Sequence, residues 1–430
     1  MFFCGPCYSV FFSGLFFRGP CFSVLFRGLC YSVAFWGGGH MKILYAASDQ
    51  VVPGTTGGSV HVTAVADGLA RLGHEIHVLV TPGGDFPAGP VHWIALPPPA
   101  GRKEMRWANA GAVRALARRI QPDVVMERYY NFGGEGIGAA VERGLFAVLE
   151  VNAPVIDYPG STKRLLDRAL IVEPMRRWRE RICAQSDLIV TPSAAILPPG
   201  TPPAKILELE WGADTDRFRP GVTGAVPFDR PAGTVAVFAG AFRNWHGTIH
   251  IVTALRELRA RGRTDIGAVF IGDGPELPRV REAARGLEGV IFTGALPHEQ
   301  MPACLSACDI GVAPFDIGAH RALSLGFYWS PLKIFEYMAA GLPVIAPAID
   351  RIPDLVGHNR EGLLYDPAIP SGLPHALEAL TDRAMRERLG HSARQRAVRD
   401  YSWSAHCRAL DAAIKKGSGL KAQGSESRGR

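Results

Sequence analysis

Hydrophobic and polar positions alternate along this chain in two rhythms. From Met41 onward, short runs that are apolar throughout end in turn residues, and longer stretches with apolar residues three or four apart follow them. The first rhythm predicts buried strands and the second amphipathic helices. Strands are predicted at 42–47, 76–80, 91–95, 123–126, 146–150, 188–191 and 206–209, with helices near 59–72, 104–119 and 162–185 between them. The scheme then repeats, with strands near 235–239, 268–271, 290–293, 310–313, 343–346 and 362–365 and helices near 247–262, 275–285, 298–306, 332–340 and 373–399. Runs such as Val235-Ala236-Val237-Phe238 are apolar on both faces, which predicts parallel sheets covered on both sides. The chain therefore reads as α/β, with two Rossmann-like doubly wound parallel-sheet domains facing a cleft.

The seam falls near Phe218-Arg219-Pro220-Gly221, before a Pro- and Gly-rich passage. It divides a first domain, 41–218, from a second, 219–400. A final helix over 401–416 follows the second domain and is free to cross back onto the first. Residues 417–430 are rich in Gly, Ser and Lys and are expected to be a mobile tail.

The first 40 residues follow neither rhythm. They repeat Cys7-Tyr8-Ser9-Val10, Cys21-Phe22-Ser23-Val24 and Cys30-Tyr31-Ser32-Val33, and a fresh start appears at Met41-Lys42-Ile43-Leu44-Tyr45. The favoured reading is a repetitive, low-complexity extension translated from an early start and outside the native fold. A membrane-associating tail is a second reading, although Arg, Gly and Pro break every apolar run before it reaches about 18 residues. Cys4-Gly5-Pro6-Cys7 has C-x-x-C spacing but no βαβ context. The other cysteines, Cys183, Cys304, Cys308 and Cys407, are scattered and expected as buried thiols of a cytoplasmic protein.

Charge changes the picture less than its total suggests. The chain of 430 residues carries a formal +7, but residues 1–40 supply +2 and residues 415–430 supply +4, leaving +1 for the body. Nucleic acid is not expected as a partner.

Two facing doubly wound domains line their cleft with helix N-termini, which favours a phosphorylated ligand. The common nucleotide signatures are missing. No G-x-x-x-x-G-K-[ST] occurs, and Pro53-Gly54-Thr55-Thr56-Gly57-Gly58-Ser59 is not G-x-G-x-x-G. The second strand ends at Val80-Thr81, without an acid for a ribose of NAD. Ser330-Pro331-Leu332-Lys333 fits S-x-x-K but lacks the partner motifs of penicillin-type serine enzymes. Asp214-Thr215-Asp216 has the spacing of a metal-binding carboxylate pair, yet a capped turn is preferred there because no further carboxylates cluster beside it.

The remaining motifs have an order of their own: Gly57-Gly58-Ser59-Val60-His61, then Glu150-Val151-Asn152-Ala153-Pro154, then Trp211-Gly212-Ala213-Asp214 through Pro220. Gly240-Ala241-Phe242-Arg243-Asn244-Trp245-His246-Gly247, Gly272-Asp273-Gly274-Pro275 and Phe292-Thr293-Gly294 follow, and Ser330-Pro331-Leu332-Lys333-Ile334-Phe335-Glu336-Tyr337-Met338-Ala339 comes last. From Met41 to about Trp403 the chain resembles a family 4 glycosyltransferase of the GT-B fold, in the branch with an S-P-L-K-x-F-E-Y-M-A donor-site motif. The resemblance implies a retaining enzyme that moves a hexose from a nucleotide sugar to a hydroxyl on a glycan, lipid or small molecule. It implies no cofactor or metal, the nucleotide sugar being a co-substrate. It leaves contact with the inner face of a membrane open but unsupported.

Candidate roles follow from residue chemistry beside that resemblance. Gly57 and Gly58 let backbone N–H groups approach a diphosphate where a Cβ would clash. Arg243 offers a guanidinium fork to the leaving phosphate, and a protonated His246 would be a second donor. Pro331 suits a first helical turn, so Ser330, Leu332 and Lys333 are expected to present N–H groups, with Lys333 also reaching phosphate. Glu336 shares a face with Lys333, and the resemblance assigns its carboxylate to the ribose hydroxyls. Gly294 closes the donor-site set. Asn152 stands where many relatives carry a His facing the sugar, and it is no acid or base near neutral pH. Tyr328 stands where many relatives carry the first Glu of E-x7-E, so backbone groups of Gly326-Phe327-Tyr328 are expected to hold sugar hydroxyls. If the leaving phosphate takes the acceptor proton, no side-chain base is needed, and His61 is the alternative base. The rivals are a nucleotide-sugar epimerase on the same fold and a catalytically silent sugar-nucleotide-binding protein.

Overall fold

The computed structural model describes residues 22–26, 29–33, 39–169 and 173–428. Cys4 and Cys7 lie outside the described residues. Residues 22–26 and 29–33 pair antiparallel as a separate unit. From Lys42 on, each predicted strand is present; the central strands are buried on both faces, while most of those at the sheet edges are half-buried or exposed. In the first half they are β1 (Lys42–Val52), β2 (Glu75–Pro82), β3 (His92–Ala95), β4 (Val124–Arg128), β5 (Phe146–Glu150), β6 (Leu188–Thr191) and β7 (Ile206–Glu208). They form one parallel sheet in the order β3-β2-β1-β4-β5-β6-β7. The second half supplies β8 (Thr234–Ala239), β9 (Ile266–Ile271), β10 (Val290–Gly294), β11 (Ile310–Val312), β12 (Val344–Pro347) and β13 (Gly362–Tyr365), ordered β10-β9-β8-β11-β12-β13 and again parallel. Both are doubly wound, so each has its ligand-binding edge at the strands' carboxyl ends.

The helices are α1 (Gly57–Arg71), α2 (Ala110–Ile120), α3 (Glu135–Arg143), α4 (Thr162–Ala169), α5 (Pro174–Gln185), α6 (Thr248–Ala260), α7 (Leu277–Ala283), α8 (Met301–Ser306), α9 (Leu332–Ala339), α10 (Ile352–Leu355), α11 (Gly372–Ala379), α12 (Arg383–Asp400) and α13 (Trp403–Arg428). Two of them, α3 and α10, were not expected. The Gly133-Gly134-Glu135-Gly136 opening hides α3: Gly134 takes φ +108 just ahead of it. No helix among the described residues is long and apolar enough to cross a membrane.

The chain crosses between the halves twice. Gly212-Ala213 leads out of the first half and pairs with the returning segment: Ala213 N donates to Tyr401 O at 2.7 Å and Trp403 N to Ala213 O at 3.2 Å. A Cβ on Gly212 would lie 2.4 Å from Trp403 N, so this crossing needs glycine. Helix α13 then lies on the first half. A Cβ on Gly68 of α1 would be 2.3 Å from Cys407 Sγ, and His74 Nε2 meets Asp411 Oδ1 at 2.9 Å. The mobile tail expected from composition at 417–430 is not what forms, because α13 runs on through Arg428. Gly417 sits where a Cβ would come within 2.3 Å of the Phe146 ring, and Lys421 Nζ donates to Leu145 O and to Asp187 Oδ2, both at 2.6 Å. The glycine that suggested looseness is what allows the close contact.

Candidate active site

The second half builds its wall of the cleft from the carboxyl end of β8. Gly240 has φ +139, and a Cβ there would meet Lys333 Nζ at 3.2 Å. The Gly272-Asp273-Gly274 turn braces this loop from behind. A Cβ on Gly272 would lie 2.0 Å from Gly240 O and one on Gly274 2.7 Å from Phe242 N. Phe242 N also donates to Asp273 O at 2.9 Å. This Gly-Asp-Gly-Pro motif thus holds a neighbouring backbone in place. Beyond Phe242, Arg243 is exposed, its guanidinium carbon 5.9 Å from the centre of the Trp245 ring, and no carboxylate pairs with it among the described residues.

His246 departs from expectation. Its Nδ1 faces Ala241 O, which fixes the proton on that nitrogen. Burial, Lys333 and Arg243 hold its pKa at about 3. The protonated second donor expected there is therefore absent near neutral pH, and Nε2 presents a lone pair.

Helix α9 forms the floor. Pro331 is its N-cap, not its first residue. Leu332 N is used by Ser330 O at 3.0 Å and Ile334 N by Pro331 O at 2.8 Å, while Lys333 N–H stays open. The free amides expected over 330–333 thus narrow to Ser330 and Lys333. The Ser330 hydroxyl is occupied too: it donates to Glu210 Oε2 at 2.7 Å and accepts from Trp211 N at 3.0 Å.

Lys333 is not a surface partner of Glu336. Its stem is partly exposed, but its Nζ is buried and makes no hydrogen bond. The ammonium lies 4.1 Å from the Phe238 ring centre and 5.3 Å from that of Phe315. Burial lowers its pKa to about 7 against the pull of Glu336. One turn on, Glu336 Oε1 is 3.4 Å from His298 Nε2. Glu336, His298 and Leu332 line a cavity of about 520 Å³ that α1 and the crossing segment 212–218 close from the first half. Gly294 ends β10 with φ +74 and open space where a Cβ would project.

In the first half, α1 starts at Gly57, with Thr56 capping Ser59 N. A Cβ on Gly57 would touch the Trp211 ring at 3.6 Å, and one on Gly58 would fall 2.0 Å from Gln50 Oε1. A Cβ at 58 would thus displace the end of the Gln50 side chain and no backbone. His61, one turn along, is fully buried with Nε2 against Glu150 Oε1. Glu150 also receives Tyr45 O–H, Arg128 Nη1 at 3.4 Å and Asn152 Nδ2 at 2.5 Å. Burial alone would raise the Glu150 carboxyl, but His61, Arg128 and Tyr45 hold it well below the usual carboxylate range. Asn152 Oδ1 accepts from Trp211 Nε1 at 2.7 Å. Both ends of the Asn152 amide are therefore committed inside the protein. Tyr328 is buried, and Gly326 N and Phe327 N are taken by Leu323 O and Asp350 Oδ2. Of the backbone donors expected there, only the Tyr328 amide is left.

Sequence reasoning missed one group entirely. Arg106 is buried among Asp49, Glu127 and Glu135, and its Nη1 and Nη2 also reach Arg128 O and Ala46 O, each at 3.0 Å. Burial and Glu135 push the Glu127 carboxyl up to about 7. The cluster sits at the carboxyl ends of β1 and β4, where the strand order reverses. Its members come from distant parts of the chain, and the glycine-rich run Gly133-Gly134-Glu135-Gly136 is the one local mark they leave. Asp214 proves to cap a turn, its Oδ1 accepting from Asp216 N at 3.2 Å and Arg217 N at 3.1 Å.

Two doubly wound sheets joined by a double crossing, with unpaired cations and a carboxylate on the second wall, define the architecture of GT-B glycosyltransferases. Residues 55–197 match the family described as Glycosyltransferase Family 4, and residues 233–383 match Glycosyl transferases group 1. A GDP-mannose-dependent alpha-mannosyltransferase of Mycolicibacterium smegmatis is 25% identical over 85% of this chain and 95% of its own. An alpha-maltose-1-phosphate synthase of Mycobacterium tuberculosis is 30% identical over 48% of this chain and 55% of its own. Among solved structures, sucrose-phosphate synthase of Thermosynechococcus elongatus has a TM-score of 0.65 at 17% identity, covering 88% of this chain and 99% of that one. An Anabaena protein in complex with UDP and glucose has a TM-score of 0.62 at 16% identity, covering 88% and 100%. With a glycosyltransferase family model matched in each half, the chain is a glycosyltransferase, an enzyme that transfers a sugar.

Proposed function

We propose that the enzyme moves a hexosyl group from a nucleotide diphosphate sugar to a hydroxyl acceptor with retained anomeric configuration. The observation that carries this reading is the buried ammonium of Lys333, which has no hydrogen-bond partner among the described residues and lies between Gly240 and two aromatic rings. A buried unpaired cation is costly, and an arriving diphosphate would supply the missing anion. Arg243 would approach the same phosphates from the exposed side, and the open Lys333 amide would add a donor at the start of α9. Glu336 would accept from the two ribose hydroxyls inside the cavity.

As the sugar–phosphate bond breaks, negative charge grows on the leaving diphosphate. Lys333 and Arg243 stabilise it there. Neither side chain expected nearest the sugar serves as the base: His246 is held at about 3, and both ends of the Asn152 amide are already hydrogen-bonded. The acceptor proton would go to the leaving phosphate oxygen, and the acceptor would attack from the same side. The relatives that use GDP-mannose and the neighbour holding UDP and glucose support a hexose donor.

The test is incubation of the purified chain with a panel of nucleotide hexoses, read by thermal melting and by product NMR. A donor-dependent rise in melting temperature with an axial-to-axial or equatorial-to-equatorial product supports the reading. Inverted product removes the retaining step, and no shift with any donor overturns the assignment of Lys333. A shift without transfer to any acceptor would mark a silent sugar-nucleotide binder.

A further inference from the structure

The first sheet carries a second group of chemistry-bearing side chains, near the amino-terminal ends of β2 and of the edge strand β3, and so away from the cleft at the carboxyl ends. Glu75 and His77 are two apart on β2 and share a face. His92 on β3 is the register partner of His77. His77 Nε2 lies 2.7 Å from Glu75 Oε1. The rings of His77 and His92 stack, with centroids 4.7 Å apart and planes 18° from parallel. One ligand atom from each of the three lies within 4.8 Å of the others, and no other such group of three occurs among the described residues.

A stacked His pair with one ring hydrogen-bonded to a carboxylate is compatible with ordinary packing, but two features go beyond that. First, β3 is a four-residue edge strand with His92 exposed, so stacking there gains little from burial. Second, a cation is already at the site: Lys42, the register partner of Glu75, places Nζ 3.3 Å from Glu75 Oε1. The carboxylate is thus held beside the imidazoles by a charge that a metal would replace.

The geometry is close to that of a metal site. Tetrahedral zinc with Zn–N of about 2.0–2.1 Å sets its ligand atoms about 3.4 Å apart. A spacing of up to 4.8 Å closes by side-chain rotation alone, since the strand register already puts the three residues together. Two imidazoles and one carboxylate suit a borderline divalent ion such as Zn²⁺ better than Mg²⁺ or Ca²⁺.

We infer that Glu75, His77 and His92 form a binding site for a zinc-class divalent metal, with water as the fourth ligand, that fastens edge strand β3 to β2. The ion holds an edge that is otherwise short and open, and it takes no part in sugar transfer.

The experiment is calorimetric titration of the chelator-stripped full chain with ZnCl2, beside Cu²⁺ electron paramagnetic resonance. Wild type should bind one zinc equivalent more than His92→Ala, and the exposed position of His92 keeps that variant folded. Glu75→Gln, which retains the ring pair, should bind about tenfold more weakly, and Lys42→Met more tightly. The wild-type copper spectrum should show coupling to two nitrogens. Zinc should raise the melting temperature of wild type but not of His92→Ala. Equal zinc stoichiometry in wild type and His92→Ala, or a copper spectrum without imidazole nitrogen coupling, overturns the site.

Discussion

The indole N–H of Trp211 donates to Oδ1 of Asn152 at 2.7 Å, tying the carboxyl end of β5 to the segment that crosses between the halves. The tie continues in both directions. Asn152 Nδ2 is held by Glu150, while Trp211 N reaches Ser330 Oγ just ahead of α9. Trp211→Phe should leave Oδ1 of Asn152 unpaired in a half-buried place. We expect a loss of about 1–2 kcal/mol in urea denaturation. Donor KM should rise with it, because the crossing segment whose Trp211 backbone N–H meets Ser330 Oγ loses its tether to β5. Unchanged stability and KM would show that the bond carries nothing.

Lys333→Met should separate stability from function. Removing a buried, unpartnered ammonium should stabilise the chain by about 1–3 kcal/mol in denaturation. Donor affinity should fall by about 10- to 100-fold, the loss of a charge-assisted contact. A variant that is both less stable and unchanged in donor affinity would contradict the placement of Nζ.

Donor binding should also depend on pH through this lysine. Its pKa in the empty site is about 7, and a bound diphosphate raises it. Binding is then strongest below pH 7 and weakens by up to about tenfold per unit as pH rises above 7, until the bound-state pKa is reached. A sugar diphosphate diester does not titrate in that range, so calorimetry from pH 7 to 9 reads the lysine alone. Lys333→Met should give a flat profile.

Glu336→Ala should cost donor affinity about 10- to 100-fold if the carboxylate accepts from two ribose hydroxyls. The sharper readout is a 2′-deoxy donor. Wild type should discriminate against it, and the variant should bind both alike.

Acid should destabilise the fold before ordinary carboxylates titrate. His246 and His406 both have folded pKa values of about 3 against an ordinary 6.5. Between those values the unfolded chain binds more protons, so stability is full above pH 6.5 and falls as pH drops. Glu150, held below the usual range, adds a loss in the same direction once pH falls through that range. His406→Gln should reduce proton uptake on unfolding at pH 5 by about one, measured from the pH dependence of the urea midpoint.

Much of the fold was legible because burial on two faces leaves a plain mark: runs such as Val235-Ala236-Val237-Phe238 permit little else. The donor wall was legible as a set of motifs, but their internal wiring was not. Lys333 reads only as a cation reaching phosphate, because nothing local shows that Phe238, on β8, and Phe315, in the loop after β11, will flank its head. Ser330 reads as a phosphate ligand because Glu210 and Trp211 stand 120 and 119 positions away. Arg106 has no local signal at all, its partners being Asp49, Glu127 and Glu135. The helix at 417–428 was hidden by Gly417 and Gly419, whose composition suggests looseness until the facing Phe146 ring is known.

The return of α13 onto α1 has a consequence for biosynthesis. Cys407 seats against Gly68, and Asp411 against His74, more than three hundred positions earlier. A ribosome releases the first sheet long before the helix that covers it, so this lobe must wait, partly uncovered, while the second is made. Splitting the gene at the seam should therefore give an insoluble amino-terminal fragment, rescued by co-expressing the carboxyl-terminal one.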